Sequence, residues 1–262
     1  MLAIKEPKKF YDQFGQKLLS DFAYGNKRME EAIAFVLHWL PAEVKNVLDV
    51  GCGIGWSTSE VARWYPHAEV VGVDLSDQLL EVARLLFSES NLEFFNRDVT
   101  RESLPGEHLA EVVLLIDVFE HIPIADRPFF QNGIRDILAP GGRVILTCPS
   151  AYHQDYLRTH HREGLQPVDE DVDAAVIQEF AQRLGGEVLF FSYQNIWRPA
   201  DYLHAVISGK NNESTARPFV PSSNPIRRAE SKWKRQRRIA KSEVDFQLPV
   251  GLKSRIGRLL FP

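Results

Sequence analysis

From about residue 28 to residue 208, short continuous apolar runs alternate with segments of helical periodicity. Apolar runs without alternating polar positions indicate strands that are buried on both faces. Seven strands are predicted, at about residues 46–50, 69–73, 92–95, 111–116, 143–148, 187–192 and 202–207. Helices are predicted at about residues 28–40, 56–65, 77–88, 126–138 and 172–184. The pattern predicts a doubly wound α/β fold around a mostly parallel seven-stranded sheet.

Local signals divide the chain further. Ser57 and Glu60 have the spacing of a capping box at the start of the helix predicted over 56–65. Pro140-Gly141-Gly142 predicts a turn before the fifth strand. Residues 209–225 are rich in Asn, Ser and Pro, which is typical of a linker. We therefore expect an N-terminal helical lid at 1–45, a core domain at 46–208, and a linker with a basic C-terminal extension at 209–262.

Composition narrows the class of protein. The 262 residues are 44% hydrophobic and 25% charged, which is ordinary for a globular protein. No stretch of eighteen successive apolar residues is present, and the N-terminus has no long apolar core of a signal peptide. Cys52 and Cys148 are the two cysteines, one of them inside a glycine-rich segment. These features predict a cytoplasmic protein without a structural disulfide.

A glycine-rich loop follows the first predicted strand. The loop is Gly51-Cys52-Gly53-Ile54-Gly55, and Asp74 directly follows the second predicted strand. Glycines let the backbone approach a ligand closely, and an acid at the end of the next strand can bind ribose hydroxyls. A dinucleotide-binding G-x-G-x-x-G fingerprint would require glycine where Trp56 stands. The spacing therefore favours a nucleoside-bearing cofactor that lacks a pyrophosphate.

With this G-x-G-x-G loop and the acid that follows the second strand, the chain resembles the class I S-adenosylmethionine-dependent methyltransferases over roughly residues 10–208. The resemblance implies a Rossmann-like methyltransferase fold with S-adenosylmethionine as the cofactor. It also implies ribose binding by Asp74 beside Leu75 and adenine binding by Asp98 and Val99. The residues that would hold the methionine end are Asp49, Gly51, Cys52 and Gly53.

The same resemblance implies a role for the N-terminal segment. Related methyltransferases use such a segment as a lid, with a tyrosine and an arginine near the cofactor carboxylate. Tyr11 and Arg28 are the residues that would take these places. A guanidinium pairs well with a carboxylate in bidentate geometry, which favours Arg28 physically. The alternative is a solvated arginine at the start of a helix.

The fourth predicted strand leads into Ile116-Asp117-Val118-Phe119-Glu120-His121-Ile122-Pro123. This segment is similar to the D-x-x-E-H-I segment of small-molecule methyltransferases that modify hydroxyl groups. Asp117 is expected to shape the loop and contact the cofactor. His121 could accept a proton from an acceptor hydroxyl, because histidine titrates near neutrality; the alternative is a histidine that braces the loop. Asn-Pro-Pro-Tyr and Asp-Pro-Pro-Tyr are absent, which weighs against an enzyme that modifies nucleic-acid bases.

A long polar segment follows the fifth strand, where specificity loops belong in such sheets. It resembles a pattern in bacterial methyltransferases that are thought to act on saccharides. Tyr152, Gln154, His161 and Asp169 are expected to hydrogen-bond a polyhydroxylated acceptor. The histidines and acids of this segment lack a recognised metal-ligand spacing, so no metal is expected. The predicted reaction is O-methylation of a small-molecule or saccharide acceptor.

The C-terminal extension is strongly basic. Residues 226–262 contain eleven lysines and arginines against three acids, whereas the whole chain has a net charge of −4. Three interpretations remain open: a solvated or inter-subunit helix, peripheral contact with an anionic membrane, and a nucleic-acid clamp in which Trp233 stacks. The corresponding functional alternatives are an RNA methyltransferase and a cofactor-binding regulatory protein without turnover.

Overall fold

The computed structural model describes residues 14–105, 108–210 and 228–246. Within these ranges the strands are β1 (Asn46–Val50), β2 (Glu69–Asp74), β3 (Leu92–Asn96), β4 (Ala110–Ile116), β5 (Leu138–Pro149), β6 (Val188–Gln194) and β7 (Tyr202–Ser208). The helices are α1 (Gly15–Tyr24), α2 (Lys27–Trp39), α3 (Trp56–Trp64), α4 (Asp77–Leu86), α5 (Arg127–Ile137), α6 (Ala151–His160), α7 (Ala174–Arg183) and α8 (Lys232–Lys241). Two short 3-10 helices lie at Phe119–His121 and Arg162–Gly164.

The strands form one seven-stranded sheet in the order β3-β2-β1-β4-β5-β7-β6. All neighbours are parallel except β7, which runs antiparallel to both β5 and β6. The predicted doubly wound, mostly parallel fold is therefore confirmed, including the seventh strand. The strand order reverses between β1 and β4, so a crevice opens at the carboxyl ends of these two strands.

Packing on both faces explains why the strand sequences show no alternation. Val47 and Val112 belong to a core cluster shared with α1, α2, α3 and α4. Val50 and Val113, on the opposite face, belong to a second cluster shared with α5 and α7. A strand covered on both sides needs apolar side chains at every position.

Two local predictions are wrong. The first turn of α3 is capped by Gly55 in the left-handed conformation rather than by a Ser57–Glu60 box. Glu60 instead forms an ion pair with Arg63 and accepts a hydrogen bond from the backbone N–H of Glu230 at 2.5 Å. The predicted Pro140–Gly142 turn lies inside β5, where the register against β4 shifts between Ala110 and Val112. The irregularity is thus accommodated within the strand.

The described part of the basic extension contains one helix, as expected, but this helix is not fully solvated. Helix α8 buries Arg235, Gln236 and Ile239 against the body of the protein. The predicted linker at 209–225 and the terminal residues 250–262 lie almost wholly outside the described ranges, as does Tyr11. In the described parts of the chain, no helix combines the length and apolar character that a membrane span requires.

Candidate active site

The glycine loop connects β1 to α3 at the carboxyl edge of the sheet. Gly51, Gly53 and Gly55 have φ values of 69°, 56° and 79°, which glycine adopts without a steric penalty. The N–H groups of Gly51 and Cys52 both donate to the carbonyl of Val73, at 2.7 Å and 3.0 Å. The loop is therefore held against the end of β2.

Asp74, the last residue of β2, contacts this loop directly. Its Oδ2 atom accepts from the N–H of Gly53 at 2.8 Å, and its Oδ1 atom accepts from the N–H of Ser76 at 2.9 Å. The Asn96 side chain donates to the carbonyls of Asp74 and Leu75, at 3.1 Å and 2.9 Å. The carboxylate thus has a fixed orientation beside the glycines, while ribose binding stays a prediction. Sequence reasoning missed Asn96, which carries no signal except its position at the end of β3.

Asp49 is buried behind hydroxyl groups of the next helix. The hydroxyls of Ser57 and Thr58 donate to its Oδ2 atom at 2.6 Å and 2.7 Å. Burial raises the pKa of Asp49 to about 6, although the two hydroxyl hydrogen bonds act in the opposite direction. In this arrangement Asp49 ties β1 to the first turn of α3 and so fixes both ends of the loop. Its predicted contact with the methionine end remains a prediction.

The remaining predicted cofactor residues differ in their surroundings. Asp98 lies two residues beyond β3, and its Oδ1 atom accepts from the hydroxyl of Thr100 at 2.6 Å. Val99 is half-buried beside it. Cys52 is buried within the glycine loop, and burial raises the pKa of its thiol well above the ordinary value; the same holds for Cys148 in β5.

Arg28 and Asp117 form a buried ion pair between α2 and the loop after β4. Burial opposes the charge of Arg28, but Asp117 and the hydrogen-bonded Tyr202 raise its pKa above the ordinary value. Asp117 has a φ of 54°, which aspartate tolerates better than most residues. Its Oδ1 atom is buried without a hydrogen-bond partner among the described residues. Arg28 is therefore not a solvated helix-start arginine, and this pair reaches the crevice next to the glycine loop.

His121 is held between two acids. Its Nδ1 atom lies 2.7 Å from the carbonyl of Val168 and 3.1 Å from Asp169 Oδ1, and its Nε2 atom lies 3.5 Å from Glu120 Oε1. Burial lowers the pKa of His121, but Glu120 and Asp169 outweigh it and raise that pKa to about 9. Burial raises the pKa of Glu120 to about 8. Because Glu120 raises the pKa of His121 only while Glu120 is ionised, the pair as a whole retains a proton at neutral pH, and His121 must lose its proton before it can serve as a base.

We expect turnover to rise with pH between about pH 7 and pH 9, because the Glu120–His121 pair must release a proton before it can take one from an acceptor. His121→Ala should lower turnover and leave cofactor affinity nearly unchanged. Methyl-transfer rates measured from pH 6 to pH 10, with calorimetric cofactor affinities beside them, check both statements. A flat wild-type profile, or full turnover in His121→Ala, contradicts a base role for His121.

The four predicted acceptor residues do not share one environment. Tyr152 is 62% exposed, and its ring contacts Tyr193 edge-on with centroids 5.5 Å apart. Gln154 is fully buried, and the exposed His161 is bound to Glu163 at 3.0 Å. Of the four, Asp169 contacts the loop after β4, through His121. Acceptor binding by these residues stays a prediction.

Close approach of two loops makes Gly51 sensitive to substitution. A Cβ atom there would overlap the Val118 side chain, and the positive φ adds backbone strain. Gly51→Ala should therefore weaken cofactor binding at least about tenfold and destabilise the fold by about 1–3 kcal/mol. Gly133→Ala on α5 is the matched control, since its nearest neighbour, Leu104, would be 3.9 Å away. Calorimetry and thermal unfolding measure both effects; equal behaviour of the two variants contradicts the steric argument.

Residues 14–105, 108–210 and 228–246 contain no candidate metal site. No three or more His, Cys, Asp and Glu side chains converge there in a way that could hold an ion.

Comparisons with known proteins identify a methyltransferase domain in the chain. Residues 47–142 match the family model described as a methyltransferase domain. A 136-residue segment is 30% identical to the ubiquinone biosynthesis O-methyltransferase of Stutzerimonas stutzeri, covering 48% of this chain and 57% of that protein. A 108-residue segment is 32% identical to the malonyl-(acyl-carrier protein) O-methyltransferase of Halalkalibacterium halodurans, covering 40% of this chain and 39% of that protein. The chain thus spans about half the length of these relatives.

Among solved structures, the phosphoethanolamine N-methyltransferase 2 of Haemonchus contortus in complex with S-adenosyl-L-methionine is similar with a TM-score of 0.62. The likeness covers 80% of this chain and 61% of that one at 17% identity, which shows the fold. The matched family segment contains β1, the glycine loop, Asp74, Asp98 and the loop after β4. Residues 47–142 are therefore a methyltransferase domain, and the fold of the chain is that of S-adenosylmethionine-dependent methyltransferases.

Proposed function

We propose that this protein transfers the methyl group of S-adenosylmethionine to an oxygen atom of a small-molecule acceptor. The observation that carries the proposal is the hydrogen bond of 2.8 Å between the N–H of Gly53 and Asp74 Oδ2. It joins the glycine loop to the acid at the point where the strand order reverses, which is where ligands bind in such sheets. A ribose would meet the carboxylate there, and the methionine end would lie along the glycines.

Oxygen is favoured as the acceptor atom by two considerations. The curated relatives described above are both O-methyltransferases by name. The loop after β4 carries His121, which, once deprotonated, could receive the proton that a hydroxyl releases during transfer. Methyl transfer needs little covalent chemistry from the protein, since the sulfonium is already activated and in-line placement of the acceptor supplies much of the rate.

We further propose a polyhydroxylated acceptor such as a saccharide. The polar α6 region supports this: the exposed Tyr152 offers a flat face for a sugar ring, and His161 is exposed at the end of the same helix. The largely buried Asp169 lies between this region and His121, with its Oδ1 atom 3.1 Å from His121 Nδ1. The membrane and nucleic-acid alternatives lose support, because Arg235 and Arg238 of α8 are engaged by Glu30 and Glu89 of the body.

The test is transfer of a labelled methyl group from S-adenosylmethionine into acceptor mixtures. We expect the purified chain to label a component of a glycan or small-molecule extract, and mass spectrometry to place the methyl on an oxygen. Labelling of purified RNA instead would overturn the acceptor class. Cofactor binding by calorimetry without labelling in any extract would favour the regulatory alternative.

A further inference from the structure

Residues 228–246, which we call the C-terminal strap, pack against the N-terminal helices. Its helix α8 lies against α1, and α1 lies over the glycine loop. A Cβ placed at Gly53 would be 3.3 Å from the Leu18 side chain of α1, and one at Gly15 would be 3.5 Å from Leu79 of α4. Helix α1 therefore covers the crevice in which the cofactor is expected to bind.

The strap holds α1 at its C-terminal end. Gln236 is buried, and its side-chain amide donates to the carbonyl of Ala23 at 3.0 Å. Lys232 lies beside Gly25, the residue with a φ of 89° that joins α1 to α2. At a free helix end this carbonyl would bind water, so the strap provides its hydrogen-bond donor and also packs against the junction between α1 and α2.

Arg235 is the centre of the contact. Its side chain is 1% exposed and forms an ion pair with Glu30 of α2 at 2.7 Å. Its guanidinium carbon lies 4.5 Å from the ring centroid of Trp56, the first residue of α3 after the glycine loop, and 5.9 Å from that of Phe22 in α1. Cation–π contacts are stronger for a desolvated arginine than for an exposed one. The Arg235 side chain thus connects α1, α2 and α3.

Contacts on either side of Arg235 fasten the strap to the body. The N–H of Glu230 donates to Glu60 of α3 at 2.5 Å, and Arg238 pairs with Glu89 at 3.2 Å. At the other end, Gln16 of α1 donates to the carbonyl of Asp245 at 3.0 Å, and Tyr24 contacts the ring of Phe246 with centroids 6.4 Å apart. The strap therefore spans from the core to both ends of α1.

We propose that the C-terminal strap is a positioning element of the cofactor site, in which Arg235 and Gln236 hold α1 closed over the glycine loop. Arg235 is a positioning residue, since it acts on the site through Trp56 and Phe22. The proposal rests on S-adenosylmethionine being the ligand of the loop, as proposed above. It also gives the basic residues Arg235 and Arg238 a role inside the molecule.

The test compares Arg235→Met with Lys234→Met in the full chain. Both remove one positive charge from α8, but Lys234 is exposed and Arg235 is buried. We expect Arg235→Met to raise the dissociation rate and the Kd of S-adenosylmethionine by at least about tenfold, and Lys234→Met to change them less than about twofold. Arg235→Lys, which keeps the charge, should recover part of the affinity.

A second readout needs no cofactor. Amide hydrogen exchange over residues 15–24 should be faster in Arg235→Met and in Gln236→Leu than in the wild type, while exchange in the central strands stays unchanged. If Arg235→Met does not fold, the Arg235→Lys and Gln236→Leu variants carry the comparison. Wild-type binding with unaltered dissociation and exchange in these variants overturns the proposal. Failure of the wild type to bind S-adenosylmethionine would instead overturn the proposed function.

Discussion

Asp74→Ala is expected to weaken S-adenosylmethionine binding by about 100-fold or more. A carboxylate that accepts hydrogen bonds from two vicinal ribose hydroxyls contributes about 1.5–3 kcal/mol for each, so that losing both costs two decades or more in Kd. The N–H of Gly53 also loses its acceptor, which loosens the loop itself. Isothermal titration calorimetry measures the change directly.

Two further variants separate these contributions. Asp74→Asn keeps the size of the side chain and one acceptor oxygen, so its loss of affinity should lie between those of the wild type and Asp74→Ala. Glu81→Ala is the matched control, because Glu81 is an exposed acid on the neighbouring α4. A Kd for Asp74→Ala within about threefold of that of Glu81→Ala would remove Asp74 from the cofactor site.

Arg28→Met should lower the free energy of unfolding by about 3–5 kcal/mol at pH 7, because it leaves the buried Asp117 carboxylate without its cation. For a chain of this size we expect a decrease in Tm of about 6–20 °C. Arg135→Met is the control: its ion pair with Asp136 is half-exposed, and its loss should cost less than about 1 kcal/mol. Chemical denaturation and calorimetry measure both variants.

The loss of unfolding free energy in Arg28→Met is expected to depend on pH. Burial already raises the pKa of Asp117, and the nearby Arg28 opposes this rise. Without Arg28 the pKa of the folded state rises further above that of the unfolded state, so the folded state binds the proton more tightly. Stability is then greater at low pH and is lost as pH rises toward the folded pKa. The deficit should therefore be smaller at pH 5 than at pH 7; an equal deficit at both would argue against an uncompensated carboxylate.

The sequence predicts the sheet well because its signals are local. The apolar runs that become β1 and β2 are bounded by Gly51 and Asp74, and parallel pairing brings those boundaries together at one edge. Short segments of the sequence are therefore sufficient to predict the fold class, the glycine loop and the acid beside it. The Ser57–Glu60 prediction failed because Asp49, eight positions before Ser57, competes for its hydroxyl.

Long-range pairing accounts for what the sequence could not show. Arg28 pairs with Asp117, which is 89 positions away in the sequence. His121 contacts Asp169, which lies in a loop whose position cannot be predicted from hydrophobic periodicity. Charge composition left three interpretations of residues 226–262 open, and none of them predicted that Arg235 pairs with Glu30, which lies 205 positions away. A solvated basic helix and a helix with a buried arginine can have the same composition. They differ in the partners of the arginine, which come close to it only in the folded chain.

The burial of both native thiols makes it practical to observe the movement of α1 and α8 with a fluorescent label. Cys52 and Cys148 are enclosed and resist deprotonation, so electrophilic dyes should attack them slowly at neutral pH. A cysteine substituted for the exposed Lys234 would react first. A single fluorophore could then be attached without altering the native cysteines, and its emission would report how α8 follows α1 when the cofactor enters.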